Sequence, residues 1–175
     1  MASTTTVSLE EYLHSVYEPD AEYLDGEVVE RSVGETDHGG VQGILVTWLR
    51  NRRKQLGIHV FPETRTQVAP RRFRVPDIAV TLKKPSGRVL VEPPLLCIEI
   101  LSPEDRASRM EARIDDYFAF GVPYVWVIDP RGRRAWSYTR DRKREAADLL
   151  TTDEPRIELR MEEIFAELDE EIEAE

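Results

Sequence analysis

Apolar residues in "TDHGGVQGILVTWLRNRRKQLG" fall on one stripe, Ile44, Leu45, Trp48 and Leu49. That three- and four-residue spacing is helical, with Arg50 to Lys54 as a basic end and Gly57 as the stop. Upstream, "SLEEYLHSV" predicts a short helix, with Ser8 as N-cap and Glu11 in the capping-box position. Between the two, Asp25-Gly26 in "EYLDGEVVERS" separates apolar pairs and predicts a tight hairpin. The period then shortens to that of strands: "IHVF", "TRTQV", "PDIAVTL" and "LLCIEIL" follow one another between Pro and Gly turns. In "SPEDRASRMEARIDDYFAFG", Met110, Ile114 and Tyr117 restore helical spacing, with Ser102 or Asp105 as the expected cap and Gly121 as the end. "PYVWVIDP" reads as a buried strand, "RRAWSYTR" as the next, and "RIELRMEEIFAEL" as a short strand and a terminal helix. A strand, a helix and a strand between residues 95 and 129 form a β-α-β unit, which favours a parallel pair. The expected class is α/β (α+β), with one central mixed β-sheet flanked by helices.

Composition changes this picture little. The 175 residues are 41% hydrophobic and 33% charged, which suits one domain with its own core. A single cysteine, Cys97, excludes an intrachain disulfide. No apolar run reaches the roughly 18 residues of a membrane span, and "MASTTTVSLEEYL" lacks a signal-peptide pattern. A cytoplasmic location, away from membranes, is expected.

Charge changes it more. The net charge of −10 is unevenly spread. Residues 1–37 hold ten acids and one base, residues 153–175 eleven acids and two bases, and the middle 13 acids and 21 bases. The basic runs "RNRRK", "RRFR" and "RGRR…RDRKR" are each a solvated face or hairpin, or a phosphate-binding surface. Residues 161–175 are expected to form an acidic C-terminal helix or tail beside a domain spanning 1–160.

Two acids stand among residues that ought to be buried: Asp77 in "RVPDIAVTL" and Glu99 in "LLCIEILSP". A buried carboxylate is costly unless it is paired or holds a metal. Strand alternation puts Leu95, Cys97, Glu99 and Leu101 on one face, and Pro76 places Asp77 at a strand end. Two acids at the ends of neighbouring strands can share a hard divalent cation. Ion pairs with Arg74 or Arg65 would compensate them as well, and spacing alone leaves both open.

Together, "RVPDIAV", "IEILSPEDR" and the helix ending "YFAFGVPYVWVIDP" resemble the restriction-endonuclease family known as Uma (type two), a branch of the PD-(D/E)xK superfamily. The upstream "EYLDGEVVERS…DHGGVQGIL" is similar to that family's opening, and the resemblance spans about residues 8–135. It implies a restriction-endonuclease-like domain, a Mg²⁺ or Mn²⁺ site and DNA as substrate. Asp77 matches the Asp of the "PD" element and Glu99 the acid of the "(D/E)xK" element. With the backbone carbonyl of Ile100 they would hold the metal. The expected Lys falls at Leu101, which is apolar; Arg113, four residues before Tyr117, takes the positive place instead. Arg can clamp a phosphate but cannot release a proton. The chain is therefore either a nuclease or a weakened or inactive nuclease-fold protein that binds nucleic acid or a protein partner.

His38 matches the family's helix-start His. Glu27, Glu30, Glu63, Arg65 and Arg109 are further cleft candidates: the first two as an acid from the hairpin, Glu63 and Arg65 from the strand before Asp77, and Arg109 one turn before Arg113. The bland alternatives are solvated hairpin acids, a Glu63–Arg65 cross-strand pair, and an Arg113 paired to Asp116 or Glu111. No zinc spacing, Gly-rich phosphate loop or nucleophile elbow occurs. Homodimers are common among such nucleases, and Trp136 or the terminal helix would offer the interface.

Overall fold

A computed structural model of the chain describes residues 6–32, 34–146 and 149–172. Four helices and twelve strands follow in order: α1 Leu9–His14, β1 Ala21–Leu24, β2 Glu27–Glu30, α2 Thr36–Leu56, β3 His59–Pro62, β4 Thr66–Ala69, β5 Arg72–Arg74, β6 Ile78–Thr81 and β7 Leu96–Ile100. Then come α3 Ala107–Phe120, β8 Tyr124–Asp129, β9 Arg134–Thr139, β10 Arg142–Ala146, β11 Leu149–Thr151, β12 Glu158–Arg160 and α4 Met161–Ile172.

The expected central mixed sheet is present, and among the described residues two smaller sheets accompany it. A six-stranded mixed sheet runs β10-β9-β8-β7-β6-β3, a four-stranded one β2-β1-β5-β4, and β11-β12 form a short pair. The β7-α3-β8 unit makes the one parallel pair of the large sheet, as the strand-helix-strand pattern predicts. The extra sheet exists because "RRFR" is not a solvated basic run. Its last three residues are β5, with Phe73 and Arg74 buried.

Each face of the large sheet is covered. Ile78, Val80, Leu96, Ile98, Ile100, Trp126 and Ile128 pack with Val41, Ile44, Leu45 and Leu49 of α2 and with Met161, Ile164, Phe165 and Leu168 of α4. Cys97, Val125 and Val127 alternate to the other face and pack with Met110, Ile114 and Tyr117 of α3. Each fully buried aliphatic side chain contributes roughly 1.5–3 kcal/mol. The acidic C-terminal segment thus lends α4 to the main core, while residues 173–175 lie outside the described ones.

The sequence signals for ends hold in part. Ser8 Oγ accepts from Glu11 N–H at 3.1 Å and caps α1. The hairpin turn puts Asp25 and Gly26 at φ 55° and 114°, the left-handed backbone that favours Asp-Gly. Neither Ser102 nor Asp105 caps α3. Asp105 Oδ2 instead accepts from Ser102 N–H at 2.8 Å, closing a turn before the helix, which begins after Arg106.

Candidate functional site

The β6–β7 register positions the two acids. Ile78 pairs with Ile98, Ala79 with Cys97 and Val80 with Leu96. Extending it one step sets Asp77 opposite Glu99 on the face covered by α3. Directly opposed side chains of an antiparallel pair have Cβ atoms about 4.5–5.5 Å apart, and like charges there repel. Both residues are buried, at 1% and 0% exposure.

Asp77 is held from three sides. Its Oδ2 accepts from the Ile100 N–H at 2.6 Å and lies 3.5 Å from His38 Nε2, while Arg31 donates to Oδ1. Burial alone would raise the carboxyl pKa. The His38 hydrogen bond, Arg31 and the Ile100 N–H outweigh it and hold Asp77 below the usual carboxylate value. The converse applies to His38: burial opposes its charging, but Asp77 raises its pKa.

Glu99 accepts from Tyr117 Oη at 2.5 Å through Oε1 and from Arg113 Nη1 at 3.3 Å through Oε2. Burial is the larger influence here. With the nearby charge of Asp77 it pushes Glu99 up to about 7, against the pull of Arg113, Arg31 and the Tyr117 hydroxyl.

A third buried acid completes the cluster. Glu22 of β1 is 1% exposed; its Oε1 lies 3.3 Å from Arg113 Nε and its Oε2 2.6 Å from Arg74 Nη1. The β1–β5 register explains the second contact: Tyr23 faces Phe73 and Leu24 faces Arg72, so Glu22 falls opposite Arg74. Alternation sends Tyr23 and Phe73 into a separate aromatic cluster with Tyr12, and the charged pair the other way. Arg74 continues to Asp116 of α3 at 2.6 Å.

Several sequence expectations are corrected by this arrangement. The cations on Asp77 and Glu99 are Arg31 and Arg113, not Arg74 or Arg65. Arg113 pairs with Glu99 and Glu22, and not with Asp116 or Glu111. The hairpin acid of the cluster is Glu22; Glu27 and Glu30 are exposed on β2. Glu63 is exposed in the turn after β3, and only its backbone N–H reaches the Asp77 carbonyl, at 3.1 Å. Arg65 donates to the carbonyls of Tyr12 and Ser15, at 3.2 and 3.0 Å, because its guanidinium stacks on the Tyr12 ring. Arg109 is exposed on α3. Leu101 packs partly buried beside the Met110–Tyr117 cluster.

Glu22 and Arg31 escaped the sequence reading, although each left a mark. Glu22 is an acid set between Ala21 and Tyr23 in a strand buried at all three positions. Arg31 is the one base among the ten acids of residues 1–37.

Two supports come from α2 and its approach. Gln42 Nε2 donates to the Asp77 carbonyl at 3.1 Å. Gly34 lies so close to His38 that an added Cβ would stand 2.8 Å from Nδ1. Arg31 and His38, with side chains 10% and 12% exposed, are the outermost members around Asp77.

The comparisons with known proteins agree with the fold and the family resemblance. Residues 9–171 match the model of the Uma2 family, described as "Putative restriction endonuclease", and the chain belongs to that family. The crystal structure of a "putative nuclease belonging to DUF820" from Anabaena variabilis superposes with a TM-score of 0.81 and 22% identity, over 93% of this chain and 99% of that one. No curated protein matches. The fold is therefore that of the nuclease-like structure, a mixed α/β domain. Among the described residues, no helix is long and apolar enough to cross a membrane, and no group of three or more His, Cys, Asp or Glu is arranged around a common metal position.

Proposed function

We propose that the protein is a metal-dependent nuclease that hydrolyses phosphodiester bonds of DNA. The observation that carries this reading is the direct opposition of Asp77 and Glu99 across β6 and β7. Two buried carboxylates side by side repel, and Glu99 is left with a pKa of about 7. Such a pair has the chemistry of a hard-cation site: carboxylate oxygens, joined by the Ile100 main-chain carbonyl, which suit Mg²⁺ or Mn²⁺. A bound divalent ion would neutralise charge on the phosphate and favour a nucleophilic water.

The chain's own residues then divide the remaining work. Arg113, paired with both Glu99 and Glu22, orients Glu99 rather than facing the phosphate; it is a positioning residue. Tyr117 fixes the other Glu99 oxygen. His38, charged more readily than a free imidazole, keeps its Nε2 on Asp77 Oδ2 and positions that carboxylate. Hydrolysis breaks one P–O bond and forms one to the water oxygen; the proton that water gives up to solvent is matched by one that the leaving alkoxide takes from solvent.

The test is cleavage of double- and single-stranded DNA, with RNA alongside, by purified protein in Mg²⁺ or Mn²⁺. Asp77→Asn and Glu99→Gln should each lower the rate at least about 100-fold, the scale seen when a group that stabilises transition-state charge is removed. Activity unchanged by both substitutions sinks the proposal. Sedimentation of the same samples tests the homodimer that double-strand cleavage would call for.

One observation favours a second reading. Asp77 and Glu99 each already carry an Arg partner, so the cluster is close to charge-balanced by protein groups alone. A nuclease-fold protein that binds nucleic acid or a partner without cutting would look the same. Absence of Mn²⁺ affinity in calorimetry, with DNA binding retained, selects it.

A further inference from the structure

The partners of Asp77 are not equivalent. The Ile100 N–H is part of the backbone and His38 belongs to a long helix. Arg31 lies just past the end of β2, on the stretch leading to α2. Its guanidinium sits against Oδ1, while its buried Nε has no hydrogen-bond partner among the described residues. An unpaired buried N–H is costly, so this guanidinium is only partly satisfied where it rests.

Charge sharpens the point. The buried acids Glu22, Asp77 and Glu99, with Asp116 behind them, meet Arg31, Arg74, Arg113 and His38. Two further positive charges placed at Asp77 and Glu99 beside an unmoved Arg31 would repel it strongly at low local dielectric. Arg74 and Arg113 each hold two acids and cannot leave cheaply. Arg31 holds one.

We infer that Arg31 is a built-in competitor for a divalent cation: its guanidinium pairs with Asp77 Oδ1 and must withdraw when such a cation binds. The inference rests on the metal-dependent reading above. Arg31 sets the affinity of the site and keeps Asp77 compensated, hence the domain folded, when metal is scarce. Its withdrawal is an exchange of one cation for another at the same carboxylate, with no bond chemistry.

The experiment is calorimetric titration of the full chain with Mn²⁺, for the native protein, Arg31→Met, Arg31→Gln and Arg31→Lys, with Asp77→Asn as the control that removes the shared carboxylate charge. Both neutral variants should bind Mn²⁺ roughly tenfold tighter or more, within the 5–150-fold range typical of coupled sites, and Arg31→Lys should not. Both should also have a lower melting temperature than the native protein without metal and gain more on adding Mn²⁺. Arg31→Gln keeps a donor for Asp77 and serves if Arg31→Met fails to fold. Equal Mn²⁺ affinity in native and neutral variants, abolished by Asp77→Asn, overturns the competition and leaves the metal reading standing. No Mn²⁺ binding by any protein overturns both.

Discussion

Arg113 Nε lies 3.3 Å from Glu22 Oε1, so a helix on one side of the large sheet is tied by charge to a strand of the small sheet. The same guanidinium reaches Glu99 Oε2 at 3.3 Å. Arg113→Met would leave two buried carboxylates short of a cation, and breaking a buried pair in this way costs about 3–5 kcal/mol. Arg113→Lys keeps the charge but cannot span both acids with a planar fork, so it should recover only part of the loss. Urea unfolding of the three proteins checks this; an Arg113→Met protein as stable as the native one refutes the bridge.

Tyr117→Phe isolates a different support of Glu99. It removes one hydroxyl donor and little volume. Leaving a buried acceptor short of its partner should cost about 1–3 kcal/mol. The lost bond favoured the carboxylate, so the Glu99 pKa should rise further above about 7. Carboxyl titration followed by NMR reads the second effect separately from the first.

Stability should decline from mildly acidic to mildly alkaline pH. Glu99 is raised from 4.5 to about 7. Between those values the unfolded carboxyl is ionised and the folded one is protonated, so increasing pH favours unfolding. His38 is raised above 6.5, so its stabilisation is complete below 6.5 and is lost as pH rises through the folded value. Asp77, lowered from 3.8, stabilises the fold above 3.8 and loses that only in stronger acid. Glu99→Gln should flatten the decline between 4.5 and 7 while leaving the part that His38 contributes. Denaturation midpoints across pH 4–9 measure both, and a native profile that instead rises from 4.5 to 7 contradicts the assignment.

Gly34→Ala should act on His38 without touching the core. The new methyl would stand 2.8 Å from Nδ1, so the ring or the loop must shift. The imidazole then loosens from Asp77, and its pKa should fall towards the free value. A displacement of the order of 1 Å can cost about 100-fold in rate. Cleavage assays and a histidine NMR titration should change together. An unmoved His38 pKa would show that the loop absorbs the methyl.

Much of the fold was legible because it rests on local periodicity. The stripe Ile44, Leu45, Trp48 and Leu49 marks α2, and the apolar runs around Cys97 and Trp126 mark β7 and β8. The helix between those strands makes them parallel neighbours. In β5 the same logic failed. "RRFR" looks like surface because two of its arginines flank one aromatic, yet Arg74 is 4% exposed. No local pattern distinguishes an Arg with buried acids waiting for it from one facing water.

The placement of Asp77 and Glu99 at the ends of adjacent buried strands could be read from alternation and from Pro76, since both are properties of a few consecutive residues. The other members of the cluster depend on pairings between distant segments. Glu22 meets Arg74 through the β1–β5 register, Arg31 meets Asp77 across the chain's whole N-terminal part, and Arg113 chooses Glu22 and Glu99 over its helix neighbours. The sequence by itself determined the elements, their order and two acids that needed a cation. Only the tertiary structure decided which cations answer them, because in a buried cluster the partner is set by which side chains packing brings within about 3 Å, a distance that sequence separation does not encode.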